Sequence, residues 1–167
     1  MEYIHRFASP LGEIVMTADG DALTGLYFQG QKHMPITKPE EAAKKDLPVF
    51  DQADRWLELY FGGRIPDFTP PLAPAGTPFR QAVWEVLLTI PYGETMTYGP
   101  IAGILSQRPG AARTSARAVG GATGHNPVAL IIPCHRVVGA GGALTGYAGG
   151  TERKARLLAL EKNGILI

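Results

Sequence analysis

Apolar and polar residues alternate through three short runs at the start of the chain, EYIHRFASP, LGEIVMTADG and DALTGLYFQG. Ser9-Pro10 and Gly12 break the first run from the second, and Asp19-Gly20-Asp21 breaks the second from the third. Period-two alternation cut by turn-forming residues predicts a three-stranded antiparallel meander. Residues 29–46, polar and rich in Lys and Pro, predict a loop. From Pro48 the period lengthens: Val49, Ala53, Trp56, Leu57, Tyr60 and Phe61 fall on one side of a helix that Gly62-Gly63 closes.

The segment IPDFTPPLAPAGTP, 65–78, holds five prolines and no period, so an extended linker and a domain boundary are placed there. The expected division is residues 1–64, a Pro-rich linker over 65–76, and a second domain over 77–167. Thr77 is positioned to cap a new helix with Pro78 at its first position, where a missing amide costs nothing. Phe79, Val83, Val86, Leu87 and Ile90 form its expected buried face, and Pro91-Tyr92-Gly93 ends it. Two short helices follow, from about Tyr98 to Leu105 and from about Ala112 to Ala122, joined by a turn at Gln107–Gly110. That pair fits a helix-turn-helix. The second helix combines small residues (Ala116, Ala118, Gly120, Gly121) with Arg113 and Arg117. Close approach to a phosphate-bearing groove fits this pattern, and so does a tight helix pair with two solvated arginines. PVALIIPCHRVVG predicts a buried strand and GAGGALTGYAGG a glycine-rich loop. Thr151 is expected to cap a last helix, ended by Asn163-Gly164 in the left-handed conformation.

The 167 residues are 45% hydrophobic, enough for a real core. No run of about 18 apolar residues predicts a membrane span, and the opening residues lack a signal-like apolar stretch. Net charge is +1. Its distribution is more informative: residues 1–79 hold 7 Lys and Arg against 11 Asp and Glu, and residues 80–167 hold 9 against 4. The basic half fits an anionic partner.

That half also carries Cys134, the single cysteine, so neither an internal disulfide nor a multi-thiolate metal site is open to this chain. One thiol also fits a soluble, cytoplasmic protein. A lone cysteine behind an apolar run is commonly a small buried core residue. A free thiol, with a pKa near 8.5, is only a few per cent ionised at neutral pH unless neighbours help, and His135 and Arg136 are at hand. Side chains of consecutive residues on an extended segment point to opposite faces, so a turn or a water is needed to join Cys134 to His135. The imidazole needs an orienting carboxylate. Glu161 is a candidate because it occupies the last turn of the final helix, where the dipole disfavours a negative charge. His5, His33, His125 and His135 share no ligand spacing with Cys134, and the glycine motifs lack the setting of a phosphate loop; no metal and no cofactor is expected.

Taken together, IPCHRVVG, preceded by RAVGGATGHNP and followed by LTGYAGG and RLLALE, resembles the O6-alkylguanine-DNA alkyltransferases from about Thr77 to Glu161. The resemblance implies an α+β fold. Its N-terminal domain would be ribonuclease-H-like, with a three-stranded antiparallel sheet and a helix. Its C-terminal domain would be mostly helical, with a helix-turn-helix of winged-helix kind. It implies irreversible transfer of an alkyl group from guanine O6 in duplex DNA to Cys134, after the base is flipped out. His135 would act through a water as base, Glu161 would hold the imidazole, and Asn126 would be the hinge between the DNA-binding motif and the active-site segment. Val137, Tyr147 and Ala148 would line the guanine pocket, with Tyr98 near the flipped nucleotide and Lys154 at the family's spacing. Thr97, Tyr98, Ala116, Arg117, Gly120 and Arg136 would meet DNA in the minor groove, with Arg117 filling the vacated place in the stack. A stable thioether makes the reaction single-turnover, and the protein is expected to be a monomer.

Three departures from the family pattern stand out. The segment around Arg108 to Arg113 is longer, Ala148 replaces a serine of some members, and the cysteines of a zinc site are missing. O4-alkylthymine remains open as a second substrate. A lesion sensor of the same fold would lack the cysteine, a thiol hydrolase would leave the helix-turn-helix unexplained, and a plain DNA-binding regulator would leave Cys134 unexplained.

Overall fold

The computed structural model describes residues 2–32 and 43–167. Most of the polar segment expected to be a loop, with His33 in it, lies outside the described residues. The meander forms as the alternation predicts: β1 (Tyr3–Ser9), β2 (Gly12–Ala18) and β3 (Leu23–Phe28) pair antiparallel in sequence order. The turns follow their chemistry. Ser9 Oγ accepts from Leu11 N–H and donates to the Gly12 carbonyl, and Asp19 Oδ1 accepts from the amides of Asp21 and Ala22. The sheet has a fourth strand that the sequence reading placed inside the loop. β4 (Ala43–Lys44) pairs parallel with β1, giving the order β3-β2-β1-β4. Two residues are too few to carry a period.

β2 is buried on both faces. Ile14, Met16 and Ala18 enter the main core, while Val15 joins Ile4 and Tyr27 in a small cluster on the other face. α1 (Pro48–Phe61) covers the main face with Val49, Phe50, Ala53, Trp56, Leu57 and Tyr60.

The proline-rich segment does more than connect. Leu23 N–H donates to the Pro71 carbonyl and Ala73 N–H donates to the Leu23 carbonyl, both at 2.8 Å. The segment therefore lies along the outer edge of β3. Further along that edge, Leu26 exchanges the same pair of bonds with Pro127 and Ala129. An edge strand with unpaired amides is satisfied by two stretches from later in the chain. The second of these leads directly to Cys134.

In the C-terminal half, α2 (Pro78–Leu87) begins as predicted, with Thr77 Oγ1 accepting from Arg80 N–H at 3.2 Å. Its buried face differs by one residue: Phe79 is 37% exposed, and Trp84 is buried with its indole N–H on the Ala122 carbonyl. β5 (Met96–Thr97) leads into α3 (Tyr98–Ser106), and α4 (Ala116–Gly124) packs against both α2 and α3. α4 starts four residues later than the pattern suggests. Ser106 Oγ captures Thr114 N–H and Ser115 Oγ caps Ala118 N–H, so the chain stays non-helical until Ser115.

PVALIIPCHRVVG is buried, but it is not the strand the apolar run predicts. After the bridge at Val128 it turns, with Leu130 at φ 68°, and enters a 3₁₀ turn over Cys134–Arg136 before the two-residue β6 (Val137–Val138) pairs with β5. Asn126 imposes the turn. Its Oδ1 accepts from Val128 N–H at 3.0 Å and its Nδ2 donates to the Ile132 carbonyl at 2.8 Å. α5 (Thr151–Asn163) ends at a left-handed Gly164, as expected. Thr151, however, is the first helical residue and makes no cap; Gly150, at φ 95°, occupies the cap position.

Candidate functional site

The 3₁₀ turn answers the problem posed by adjacent residues in the sequence. In a helical turn Cys134 and His135 are no longer forced to opposite faces, and both are buried. The opposite wall is α5, which presents Lys154 and Glu161 toward the turn.

Glu161 is the hub. Oε2 accepts from His135 Nε2–H at 2.5 Å and from the Tyr60 hydroxyl at 2.5 Å, while Oε1 accepts from Arg136 Nε–H at 2.7 Å and Gly93 N–H at 3.1 Å. Burial alone would raise this carboxyl. The hydrogen bonds of His135 and Arg136, the guanidinium charge and, once the ring is protonated in acid, the imidazolium charge outweigh it and hold the pKa at about 2. A carboxylate at the unfavourable end of a helix is thus retained because four donors converge on it.

The bond to Glu161 places the imidazole proton on Nε2 and leaves Nδ1 as the acceptor. Nδ1 is buried and has no hydrogen-bond partner among the described residues. Burial lowers the His135 pKa, against the pull of Glu161, so the ring is neutral at rest. Cys134 is 6% exposed. Its burial pushes the thiol up, opposed by Asn126 and by the Lys154 charge. The pair therefore rests as thiol and imidazole, not as thiolate and imidazolium. Such a site makes its nucleophile only when the proton has somewhere to go.

Lys154 is fully buried and donates to the carbonyls of Val137 at 2.5 Å and Thr145 at 2.8 Å. It pins β6 to the glycine-rich loop. Tyr147, next in that loop, is buried and its hydroxyl has no partner among the described residues. Burial keeps that phenol protonated, and a thiolate at Cys134 would reinforce the effect. The loop's close fit depends on Gly149: a Cβ there would lie 2.6 Å from the Tyr147 ring and 3.2 Å from Phe28. A cleft of about 280 Å³ opens between α4, at Gly120, Gly121 and Gly124, and the loop at Gly146, Tyr147 and Ala148.

Cys134, His135, Glu161, Asn126, Val137, Tyr147 and Lys154 thus share one buried neighbourhood, joined by the contacts described. Ala148 is half-buried at the cleft. Thr97 and Tyr98 stand at the start of α3, half-buried, with the Tyr98 hydroxyl 3.3 Å from Thr145 Oγ1 and its ring beside Gly120. Ala116 and Arg117 are exposed on α4. Arg136, expected among the DNA contacts, points inward in the free chain. It is 9% exposed, with its guanidinium on Glu161, on the Ile90 carbonyl at 2.8 Å and over the Tyr92 ring. Its charge is spent inside the protein.

Tyr60 and Gly93 were not singled out for the site by the sequence. For Tyr60 a signal existed: a tyrosine on the buried face of a helix needs a partner for its hydroxyl. Among the described residues, no group of three or more His, Cys, Asp and Glu is placed to hold a metal ion, and no helix is long and apolar enough to cross a membrane.

Comparison with known proteins covers both halves. Residues 3–74 match the family model described as the 6-O-methylguanine DNA methyltransferase ribonuclease-like domain, and residues 78–163 match the DNA binding domain of the same family. The chain is 47% identical over 163 residues to a methylated-DNA–protein-cysteine methyltransferase of Mycobacterium bovis, covering 98% of this chain and 94% of the relative. A namesake from Methanosarcina acetivorans is 44% identical over 160 residues, covering 95% and 97%. Among solved structures, Mycobacterium tuberculosis OGT in complex with DNA superposes with a TM-score of 0.83 at 44% identity, covering 96% of this chain and 92% of that one.

Proposed function

The chain belongs to the 6-O-methylguanine DNA methyltransferase family, whose activity is DNA repair by alkyl transfer to a protein cysteine, and on that premise we propose that Cys134 accepts the alkyl group from O6-alkylguanine in duplex DNA, once per molecule. The observation that carries the proposal is the position of the lone thiol. It is buried in the turn that also holds His135, whose ring is fixed by Glu161 through Nε2 and whose buried Nδ1 has no hydrogen-bond partner among the described residues.

The chemistry follows from the resting state. With the lesion bound, the Cys134 proton passes through a water to His135 Nδ1, and the imidazolium is stabilised by Glu161 across the 2.5 Å bond. The thiolate attacks the alkyl carbon. The S–C bond forms, the C–O6 bond breaks, and the electron pair goes to the guanine, which takes up the proton from His135. Tyr147, whose hydroxyl has no partner among the described residues, would meet the purine together with Tyr98, Val137 and Ala148, while Lys154, held by the Val137 and Thr145 carbonyls, would fix the wall of that pocket. The thioether has no thiol proton to lose and no water-labile bond, so the protein is consumed.

A target atom inside the duplex requires base flipping, at a cost of a few kcal/mol. The exposed face of α4, with Ala116 and Arg117 and with Gly120 beside Tyr98, supports entry into the minor groove, where Arg117 would fill the gap left by the base. Arg136, whose side chain holds Glu161, would meet the DNA only through its backbone or after its guanidinium is released. Thr97 and Tyr98, at the mouth, would meet the backbone near the flipped nucleotide. On this reading the protein works as a monomer, in the cytoplasm, on DNA. The test is the intact mass after incubation with a duplex carrying one O6-methylguanine. One methyl per chain, mapped to Cys134 and absent from Cys134→Ala, is expected; DNA binding with no gain would make the chain a sensor.

A further inference from the structure

The Tyr60 hydroxyl and the His135 imidazole share one oxygen. Both donate to Glu161 Oε2 at 2.5 Å, and the hydroxyl is 3.4 Å from Nε2 itself. Tyr60 is fully buried on α1, 101 residues before Glu161, wedged between Trp56, Phe61 and Tyr92. Its ring meets that of His135 edge-on with centroids 6.3 Å apart. Burial explains why this hydroxyl needs an acceptor; what sets Tyr60 apart is that the acceptor is the same carboxylate oxygen that the His135 imidazole uses.

From this geometry we infer that Tyr60 is a positioning residue that sets the basicity of His135 through Glu161, so that the ribonuclease-like half of the chain tunes the nucleophile's base. The inference rests on the alkyl-transfer reading for its consequence, though not for its chemistry. A donor on Oε2 draws charge from the carboxylate and weakens its hold on an imidazolium. Tyr60 therefore keeps His135 a weaker base than Glu161 alone would make it. It also limits where Oε2 can sit, and hence how the ring is turned. The phenol stays protonated in this role, since burial and then the Glu161 charge push it well up. The other groups facing the ring are Lys154 from α5 and Cys134 and Arg136 from the turn itself, with Tyr92 against Tyr60 on its far side. Of these groups, Tyr60 is the one whose hydroxyl donates to the same carboxylate oxygen as the imidazole.

The sign is definite. Transfer needs neutral His135, so its rate falls as pH drops through the His135 pKa. Tyr60→Phe keeps the ring and removes the donor; Glu161 then pulls harder on the imidazolium, and the acid limb of the rate moves to higher pH by roughly half to one unit. Placing 3-fluorotyrosine at position 60 keeps the fold and strengthens the donor, so the limb moves to lower pH. In a Glu161→Gln background the Tyr60→Phe shift disappears. The full-length chain is assayed by single-turnover methyl transfer across pH, and the His135 ring is titrated separately by ¹⁵N NMR. Opposite shifts for the two Tyr60 variants, in both readouts, are expected. Rates lowered equally at every pH with an unmoved limb would make Tyr60 a packing residue and overturn the inference, as would a shift that persists without Glu161. If the unaltered chain takes up no methyl group, the alkyl-transfer reading fails alone, and the NMR titration still decides the role of Tyr60.

Discussion

Glu161→Gln is the most informative single change, because the structure fixes both its cost and its direction. The glutamine is nearly the same size, but its side chain has one acceptor oxygen and one NH₂ group. In either orientation it can serve one pair of donors only: His135 with Tyr60, or Arg136 with Gly93. The other pair then faces N–H. Two buried donors without an acceptor cost about 1–3 kcal/mol each, with some relief by rotation. The depressed Glu161 pKa, from 4.5 to about 2, points in the same direction: the folded state holds the charged carboxylate more favourably than the unfolded chain does. A loss of about 3–4 kcal/mol in urea unfolding at pH 7 is expected, with the buried Arg136 left without its counter-charge. Methyl transfer should slow by about 10²–10⁴-fold, because the imidazolium formed at His135 loses its stabilising partner. A variant less than about 1 kcal/mol destabilised, with an unchanged single-turnover rate, would refute the hub assigned to Glu161.

Other consequences follow from the same contacts. Asn126→Ala removes two buried bonds that shape the turn before Cys134, and should cost about 2–4 kcal/mol in denaturant unfolding while slowing transfer. Arg117→Ala, on the exposed face of α4, should leave stability within about 0.5 kcal/mol yet weaken transfer from duplex DNA, with little effect on free alkylated guanine base. Acid should destabilise the fold in two stages seen by circular dichroism. His135 is depressed below 6.5, so its contribution declines as pH falls below about 6.5; Glu161 is depressed to about 2, so its contribution is full above about 4.5 and lost towards 2.

What the sequence made legible was what repeats locally. The meander, α1, α2 and the left-handed end of α5 each carry their own period, cap or turn residue within a few positions. The errors share one cause: the deciding partner lies far along the chain or in a short side-chain bond. The apolar run before Cys134 has the composition of a strand. It turns instead because Asn126 holds both its ends and because the edge of β3, a hundred residues earlier, takes only the first part of it. The start of α4 was placed too early because alanine and arginine favour a helix, whereas Ser106 and Ser115 hold the preceding backbone elsewhere. The inward turn of the Arg136 side chain is hidden in the same way, because the carboxylate that holds it is 25 residues downstream.

The same reasoning explains why the site itself was only partly visible. Cys134, His135 and Arg136 are consecutive, and motif alone brings them to notice. From the residues alone, Glu161 draws notice only because its helix end is a poor place for a negative charge, and it takes the resemblance to tie it to His135. Tyr60 sits in the other half of the chain and was read as one more apolar position of α1. Yet the carboxylate that orients His135 is completed by that hydroxyl and by the backbone of Gly93. The base therefore depends on contacts across the proline-rich segment, and a C-terminal half expressed alone would carry every residue of the cysteine motif while leaving Glu161 Oε2 with one donor fewer. On the proposed mechanism, stability is not the only reason for the two halves to remain one core: the protonation equilibrium that would generate the thiolate is set by both.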